Sequence, residues 1–562
     1  MVNLEKHTLQ EMLNHSSQKH RDRPSLSYVD GKSYTYGEFR NIVVALSKHL
    51  AEKGVKHGDK VALLSENMPA WGFTYFSVTT MGAVCVPILP DFTPPQITSI
   101  IEHSGSKIVF VSEKLLEKLE ISQLPELEYV ITIPNFQVKN INKNGTIEKT
   151  EQWDIESVEQ QPNFPYQVEE SDLAVLIYTS GTTGASKGVM LTHKNLVFDT
   201  LMALYVQDIE PEDVFLSMLP LSHTYECTIG FFMPISKGAQ ICYLDKPPTP
   251  RVLMEAMQTV RPTMIVSVPL VIEKIFKSNI LPQLTKNGFM EFLYNLRPIQ
   301  KILHKAAGKK LYQKFGGRLR FFGIGGAPLA PDVERFMRDS KFPYAIGYGL
   351  TETSPLIAGC NPSLTRYRST GNIMRGIQAR IADVQGEHGE GEIQVKGDIV
   401  MQGYYRAPEL TKAVFTEDGW FKTGDLGVLT KDGYLYIKGR SKNLILGPSG
   451  ENIYPEEIES IINEYHYVLE SMVTEKKGKI VALVHLNYDE IMAHFGNLKE
   501  SASQVSKKIG ELLTSLKAEV NKRVSTFARI NEVVEQKEPF EKTPTKKIKR
   551  YLYQEGKRGE AK

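Results

Sequence analysis

Leu173-Ala-Val-Leu-Ile-Tyr-Thr-Ser-Gly-Thr-Thr-Gly-Ala-Ser-Lys-Gly188 changes character part-way along. Leu173–Ile177 is an unbroken apolar run of strand length, the pattern of a buried strand. From Tyr178 onward, hydroxyl residues and glycines interleave until Lys187 closes the run. Glycines let backbone N–H groups approach an anion, hydroxyls add donors, and a lysine adds positive charge. A buried strand that feeds straight into such a loop is what triphosphate oxygens need. A solvated Ser/Thr/Gly surface turn is the plainer alternative. The loop is not of the G-x-x-x-x-G-K-[ST] type, because two residues separate Gly184 from Lys187.

Short apolar runs such as Lys60–Ser65 and Lys107–Val111 alternate with amphipathic stretches over the first part of the chain. Leu196, Val197, Leu201 and Leu204 share one helical face. This alternation predicts an α/β architecture, a large body of several subdomains with mainly parallel sheets. The pattern changes after residue 440. Pro455 opens a helix with Glu456 and Glu457 in its first turn and Ile458, Ile461 and Ile462 on one face. Two strand-like runs follow, around 470–474 and 480–486, with a turn at Lys477-Gly478 and a second helix over 505–524. Two units are expected: an N-terminal body, 1–440, and a small mobile α+β domain, 441–562.

The 562 residues exceed one ordinary domain, and the net charge of +2 gives no global reason to expect nucleic acid as a partner. The four cysteines form no C-x-x-C pair, which argues against a disulfide framework or a cysteine zinc site and makes a reducing cytoplasm the expected home. No apolar run is long enough to span a bilayer. The one compositional shift lies between Lys274 and Arg320, where eight lysines and three arginines meet a single acid, Glu291.

Further motifs stand in a telling order: Tyr34-Thr-Tyr-Gly-Glu38, Gly58-Asp-Lys-Val-Ala62, Gly325-Gly-Ala-Pro328, Gly347-Tyr-Gly-Leu-Thr-Glu-Thr353, Trp420-Phe-Lys-Thr-Gly-Asp-Leu-Gly427, Tyr434-Leu-Tyr-Ile-Lys-Gly-Arg440 and Lys542-Thr-Pro-Thr-Lys-Lys-Ile-Lys-Arg550. With the loop at 178–188, they make the chain resemble the adenylate-forming superfamily of acyl-CoA synthetases, peptide-synthetase adenylation domains and beetle luciferases. The likeness runs from Tyr34 to Arg550. The family loop usually carries proline where this chain has Ser186, and Lys546 replaces a usual glycine.

The resemblance implies ATP-dependent activation of a carboxylic acid to an acyl-adenylate, followed by transfer to a thiol, with ATP, Mg²⁺ and CoA as cofactors. It assigns Thr179, Ser180, Gly181, Thr182, Thr183, Gly184 and Lys187 to the phosphates. Gly326, Ala327, Pro328, Tyr348 and Gly349 fall in the adenine pocket, with Tyr348 stacking on the base. Thr351 falls on the α-phosphate contact and Glu352 on the Mg²⁺ ligand. Asp425 goes to the ribose hydroxyls and Arg440 to ribose or phosphate. Lys547 falls on the catalytic lysine, with Lys546 and Lys549 as the rival lysines and a solvated basic tail as the bland alternative. Lys442 matches the hinge between the two domains, and Gly447 and Gly450 line the pantetheine path.

Leu219-Pro-Leu-Ser-His223 resembles the entrance to the acyl site, where His223 borders the substrate carboxylate. Arg261-Pro-Thr-Met-Ile-Val-Ser-Val-Pro269, with Glu273-Lys-Ile-Phe276, is similar to the long-chain branch, which implies a medium- or long-chain fatty acid. Acyl carrier protein or a lysophospholipid as acceptor is the alternative.

Two expectations are geometric. A two-residue turn at Asp432-Gly433 would set Lys431 opposite Tyr434, and therefore Asp425 opposite Arg440, with Cβ atoms about 5 Å apart. A plain cross-strand ion pair is the simpler reading of that placement. Within the basic stretch, Phe289, Phe292, Leu293 and Leu296 recur at helical spacing ahead of Lys301, Lys305, Lys309 and Lys310. Such a segment can make peripheral membrane contact, unless the apolar face packs on the core.

Overall fold

The structure is a computed structural model and describes residues 2–142, 144–155, 163–180, 186–385, 389–447, 451–488, 491–492, 502–543 and 547–554. Two large sheets form the body. In the seven-stranded sheet, the strands run Tyr344–Ile346, Phe321–Ile324, Met264–Ser267, Val214–Ser217, Gln240–Tyr243, Pro24–Tyr28 and Ser33–Thr35. All pair in parallel except the last, which returns as a hairpin. Parallel strands need crossovers, and the crossover helices cover the faces, so the central strands are largely buried. Met264–Ser267 and Phe321–Ile324 are buried at every position.

The nine-stranded sheet is mixed. Its parallel centre holds Lys60–Leu64, Val84–Ile88, Ile108–Ser112 and Tyr129–Ile133. The two strands anticipated here from sequence lie within a residue of their expected bounds. Leu173–Ser180 joins this centre through Cys85↔Val175 and then turns back antiparallel as Ser186–Thr192. Thr179, Ser180, Ser186 and Lys187, the described ends of the glycine- and hydroxyl-rich run, therefore stand at the open end of an antiparallel pair whose other end is locked into the central sheet.

Thr192 caps the next helix, His193–Val206, through a reciprocal box with Asn195. Leu196, Val197 and Leu201 of the expected face are buried. One hydrophobic cluster runs through this body from Leu4 to Leu435, and a second fills the far side of the seven-stranded sheet. Trp71, Phe73, Tyr75, Phe76, Phe231 and Phe232 make its aromatic centre.

Beyond residue 440 a separate apolar cluster begins. Ile445, Ile458, Ile462, Val473, Val484 and Val520 belong to it, and none of the body's core residues does. Helix Pro455–Ile462 and helix Ala502–Arg523 flank a three-stranded sheet of Val468–Lys476, Lys479–Leu486 and Glu532–Glu535. The turn at Lys477-Gly478 is a two-residue hairpin with both residues at positive φ, 50° and 73°. This unit touches the body through polar contacts. Lys277 donates to the Asn463 carbonyl, Arg368 to Ser460 at 3.1 Å, and Lys438 pairs with Glu457 at 2.8 Å. Among the described residues, no helix is long and apolar enough to cross a membrane.

His193 lies wholly inside the body, and its Nδ1 accepts the Leu9 N–H at 3.2 Å. Burial disfavours the imidazolium and pushes the pKa down to about 4. The folded value lies below the ordinary one near 6.5, so the unfolded chain binds the proton more readily. Stability from this group is complete above about pH 6.5 and is lost as pH falls toward about 4. Urea unfolding midpoints at pH 7 and pH 5 should diverge less in His193→Gln than in the wild type. Equal divergence in the two proteins would remove this histidine as a source of acid sensitivity.

Candidate active site

Loops that leave the carboxyl ends of the parallel strands converge on one crevice, the usual ligand position in open α/β sheets. Val214–Ser217 leads to His223, Phe321–Ile324 to Gly326-Ala327-Pro328, and Tyr344–Ile346 to Tyr348. Residues distant in sequence meet there because their strands are neighbours in one sheet.

Gly326 takes a positive φ of 87°, and with Ala327 and Pro328 it stands exposed at the rim. Glu273, read from sequence only as a mark of one branch, shapes this rim, since its carboxylate accepts the Ala330 N–H at 2.8 Å. Gly349 has no alternative in its place. A Cβ there would lie 1.7 Å from the Pro355 carbonyl oxygen, across the pairing of Gly349 with Leu356. The short strand Tyr348–Gly349 can therefore lie flat against Leu356–Gly359, which holds the Tyr348 ring at the crevice wall.

The Tyr348 hydroxyl donates to Asp425 Oδ2 at 2.7 Å, and Arg440 Nε meets Asp425 Oδ1 at 2.7 Å. Asp425 does pair with Arg440 across the hairpin, but by a different route from the one expected. The turn holds three residues, 431–433, between Thr430 and Tyr434, with Gly433 at φ 85° in the left-handed position. That shifts the register by one residue, so Leu429 faces Leu435 and Gly427 faces Ile437. A bulge between Leu426 and Gly427 returns the residue, and from there Leu426 faces Gly439 and Asp425 faces Arg440. The ion pair of the simpler reading is thus present.

Desolvation pushes the Asp425 carboxyl upward, while Arg440, then Tyr348, then the more distant Lys547 act against it. Each carboxylate oxygen keeps a lone pair beyond the bonds seen here.

Thr351 and Glu352 sit on a single 3₁₀ turn, Thr351–Thr353. The Tyr404 hydroxyl donates to Glu352 Oε1 at 2.9 Å, and the Lys187 ammonium lies 5.0 Å over the Tyr404 ring. Lys187 itself stands opposite Thr179 in the hairpin. Strand Gly403–Tyr404 pairs with Ser186–Thr192, which explains how Tyr404 joins the phosphate-loop lysine to the carboxylate. Sequence reasoning missed Tyr404. Its only local signal is an aromatic pair after a glycine, and its partners lie far away in the chain.

Among the described residues no group of three or more His, Cys, Asp or Glu side chains is placed to hold a metal ion. A lone carboxylate beside a phosphate loop still suits Mg²⁺, which takes one or two carboxylates and completes its shell with phosphate oxygens and water. Ser180 ends its strand, while Gly181, Thr182, Thr183, Gly184 and Gly450 lie outside the described residues.

His223 Nδ1 accepts the Tyr225 N–H at 3.2 Å. Desolvation first, and the charge of Lys547 second, push its pKa down to about 4. The ring is neutral near pH 7, and an accepting Nδ1 places the proton on Nε2. Beside it the Tyr225 ring lies across a strand end kept bare by glycine. A Cβ on Gly325 would come within 3.0 Å of the ring, and one on Gly323 within 3.1 Å of its hydroxyl. A small cavity follows, lined by Tyr225, Ile229, Met233, Phe321, Gly323 and Gly347.

Lys547 arrives from the C-terminal unit. Its loop closes on itself, with Thr543 N–H donating to the Lys547 carbonyl at 2.8 Å and Lys547 N–H to Thr543 Oγ1 at 3.2 Å. Arg550 anchors the base through Glu459 and the Val473 carbonyl. Lys547 stands within electrostatic reach of Arg440, Asp425, Glu352 and His223. Lys547 as a residue is exposed to solvent, while protein groups crowd around its amine; that desolvation first, and Arg440 second, lower its pKa, and Asp425 and Glu352 oppose the shift. Lys549 turns away to Glu541 at 3.4 Å, and Lys546 falls outside the described residues. Lys442 lies exposed on the short turn Ser441–Asn443, directly after the strand that ends at Arg440. Gly447 donates to the Glu451 carbonyl at 2.8 Å.

Tyr348→Phe keeps the ring but leaves Asp425 Oδ2 without its hydroxyl partner. A buried acceptor that loses its donor costs about 1–3 kcal/mol, so in a body of this size thermal unfolding should shift to lower temperature by about one to three degrees. An unchanged transition would mean that water replaces the hydroxyl at no cost.

The AMP-binding enzyme family matches residues 13–405. Long chain acyl-CoA synthetase 4 of Arabidopsis thaliana is 30% identical, over 81% of this chain and 74% of the relative. The peroxisomal long chain acyl-CoA synthetase 7 of the same plant is 27% identical, over 92% of this chain and 79% of its own length. Among solved structures, the anthranilate CoA ligase AuaEII in complex with anthranoyl-AMP superposes with a TM-score of 0.77 at 19% identity, over 97% of this chain and 96% of that one. The family match spans well over half of the sequence, so the chain belongs to the AMP-binding enzymes and is an AMP-forming acid–thiol ligase that works with ATP, Mg²⁺ and CoA.

Proposed function

We propose that the chain activates a medium- or long-chain fatty acid to acyl-AMP and then transfers the acyl group to CoA. The observation that carries this reading is the meeting of Lys547, from beyond residue 440, with Glu352, Asp425, Arg440 and His223 of the body. The small, mostly apolar cavity behind Tyr225 marks where the acyl group would enter. The acyl-CoA synthetases among the relatives are named for long chains, and CoA as acceptor follows from the same names.

In the first step a carboxylate oxygen attacks the α-phosphorus, and the bond to pyrophosphate breaks. The hairpin loop after Thr179 and Ser180, with Lys187, holds the phosphates. The Tyr348 ring lies against adenine, with the Gly326-Ala327-Pro328 rim beside it, while Asp425 accepts from the ribose hydroxyls and Arg440 fixes Asp425. Thr351 donates to the α-phosphate. His223 donates from Nε2 to the fatty-acid carboxylate, and its pKa of about 4 keeps the ring neutral, with Nδ1 free to accept from Tyr225, near pH 7. Lys547 offsets the charge that grows between carboxylate and phosphate, an effect strongest where water is excluded. Glu352 would hold Mg²⁺, which when bound neutralises phosphate oxygen charge. In the second step the CoA sulfur attacks the acyl carbonyl, and AMP leaves.

Lys547 occupies the space over the carboxylate during the first step, so the thiol needs the C-terminal domain, residues 441–562, to turn aside from the body, residues 1–440. Lys442 is the hinge in this reading, because it lies exposed between the last strand of the body and the first element of the lid.

Lys547→Ala should abolish fatty-acid-dependent ATP–pyrophosphate exchange yet leave thioester formation from supplied acyl-AMP largely intact. Equal loss in both half-reactions would refute the division of labour. Lys442→Pro fixes φ at the hinge and should do the reverse, so that acyl-AMP accumulates while acyl-CoA formation falls at least tenfold. Unaltered acyl-CoA turnover in that variant would place the hinge elsewhere. An exchange assay over acids of increasing length, with the wild type, tests the substrate class itself.

A further inference from the structure

The connection between strands Met264–Ser267 and Phe321–Ile324 makes a long excursion over the surface, and part of it packs against no core. Helix Gly288–Asn295 has no buried residue. Phe289 is 69% exposed, Phe292 61%, Leu296 40% and, on the next helix, Arg297–Lys314, Ile302 is 66% exposed. An apolar face at this helical spacing would ordinarily turn inward. Here it cannot, because the opposite side of the helix is pinned. The Tyr294 hydroxyl meets His304 Nε2 at 3.0 Å, and His304 Nδ1 meets Asp339 at 2.8 Å. Arg297 also holds Asp339, at 2.7 and 3.0 Å. His304, Gly308 and Leu311 form the buried stripe of the longer helix, which turns Lys301, Ile302, Lys305 and Lys309 outward.

The exposed charge around this ridge is positive apart from one acid. Lys286, Lys301, Lys305, Lys309 and Lys310 are exposed, and among the described residues none of them forms a salt bridge. The only acid in the whole segment is Glu291. Exposed phenylalanines rimmed by unpaired lysines fit a surface that offers both hydrocarbon and negative charge.

We propose that Phe289, Phe292, Leu296 and Ile302, with the lysines around them, dock the protein on the face of an anionic lipid bilayer. The contact is peripheral, with the rings inserted to headgroup depth and the lysines over lipid phosphates. The same excursion ends in strand Phe321–Ile324, whose Phe321 and Gly323 line the cavity behind Tyr225. Docking here would hold that cavity next to the phase where long-chain acids dissolve. This last point rests on the fatty-acid reading; the docking surface does not.

The test is co-sedimentation of the full chain with vesicles of phosphatidylcholine and phosphatidylglycerol in equal parts, at low and at high salt. Phe289→Ser with Phe292→Ser should lower binding at least tenfold at both salt concentrations. Changing Lys301, Lys305, Lys309 and Lys310 to Gln should weaken binding by about fivefold per lysine at low salt and far less at high salt. Both variants should keep wild-type activity on a water-soluble short-chain acid, which also reports that they are folded. Wild-type protein that stays in the supernatant, or variants that bind like it, would overturn the proposal. So would a wild-type dimer in sedimentation velocity that the phenylalanine variant turns into monomer, since the ridge would then join two copies. Failure of the ligase reading would show separately, as absent pyrophosphate exchange in a protein that still binds vesicles.

Discussion

A carboxylate that has lost its water must find other partners, and Asp425 finds them on two different sheets. Arg440 reaches it from the neighbouring strand, and Tyr348 from the far side of the crevice. The first bond depends on a bulge that compensates a three-residue turn. The second depends on Gly349, since any side chain there would strike a backbone carbonyl and push the tyrosine strand away. Two independent pieces of backbone geometry thus converge on one side chain. The segment that follows Arg440 leaves the body directly, so the same ion pair fixes the point from which the C-terminal unit departs.

The rest of the crevice uses similar long-range ties. Tyr404 lies under Lys187 and donates to Glu352, so the loop lysine and the carboxylate are spaced by a ring rather than by direct attraction. A direct lysine–carboxylate pair would neutralise both charges before any phosphate arrived. The intervening phenol leaves the ammonium and the carboxylate without a direct bond to each other. At the other end, Arg550 plays the corresponding part for Lys547, because its bonds to Glu459 and Val473 hold the base of the loop that carries the lysine.

The two units are held together differently inside and between. The body is closed by continuous apolar clusters, whose burial is worth about 25 cal/mol per Å². The C-terminal unit has its own cluster and meets the body through Lys277, Arg368 and Lys438. The Lys438–Glu457 pair is exposed and individually worth little, while the Lys277 and Arg368 contacts are part-buried.

The sequence by itself determined the α/β body, the strand that enters the phosphate loop, the turn at Lys477-Gly478 and the separate unit after residue 440. These features are local: apolar period, turn residues and helix caps act over a few positions, and the chain cannot hide them. The motif order also pointed to Asp425, Arg440, Glu352, His223 and Lys547. Only the tertiary structure decided how these residues meet. The three-residue turn and its compensating bulge leave no mark that a spacing argument can read, because their errors cancel at the one pair of interest. Tyr404 and Glu273 gained roles only when strands and loops from distant segments became neighbours. Phe289 and Phe292 went the other way. Their periodicity leaves open a face toward lipid or toward the core, and bonds from Tyr294 and Arg297 to His304 and Asp339 turn that face to solvent. Which side of a helix is buried depends on what its neighbours can satisfy, and that is a property of the assembled fold.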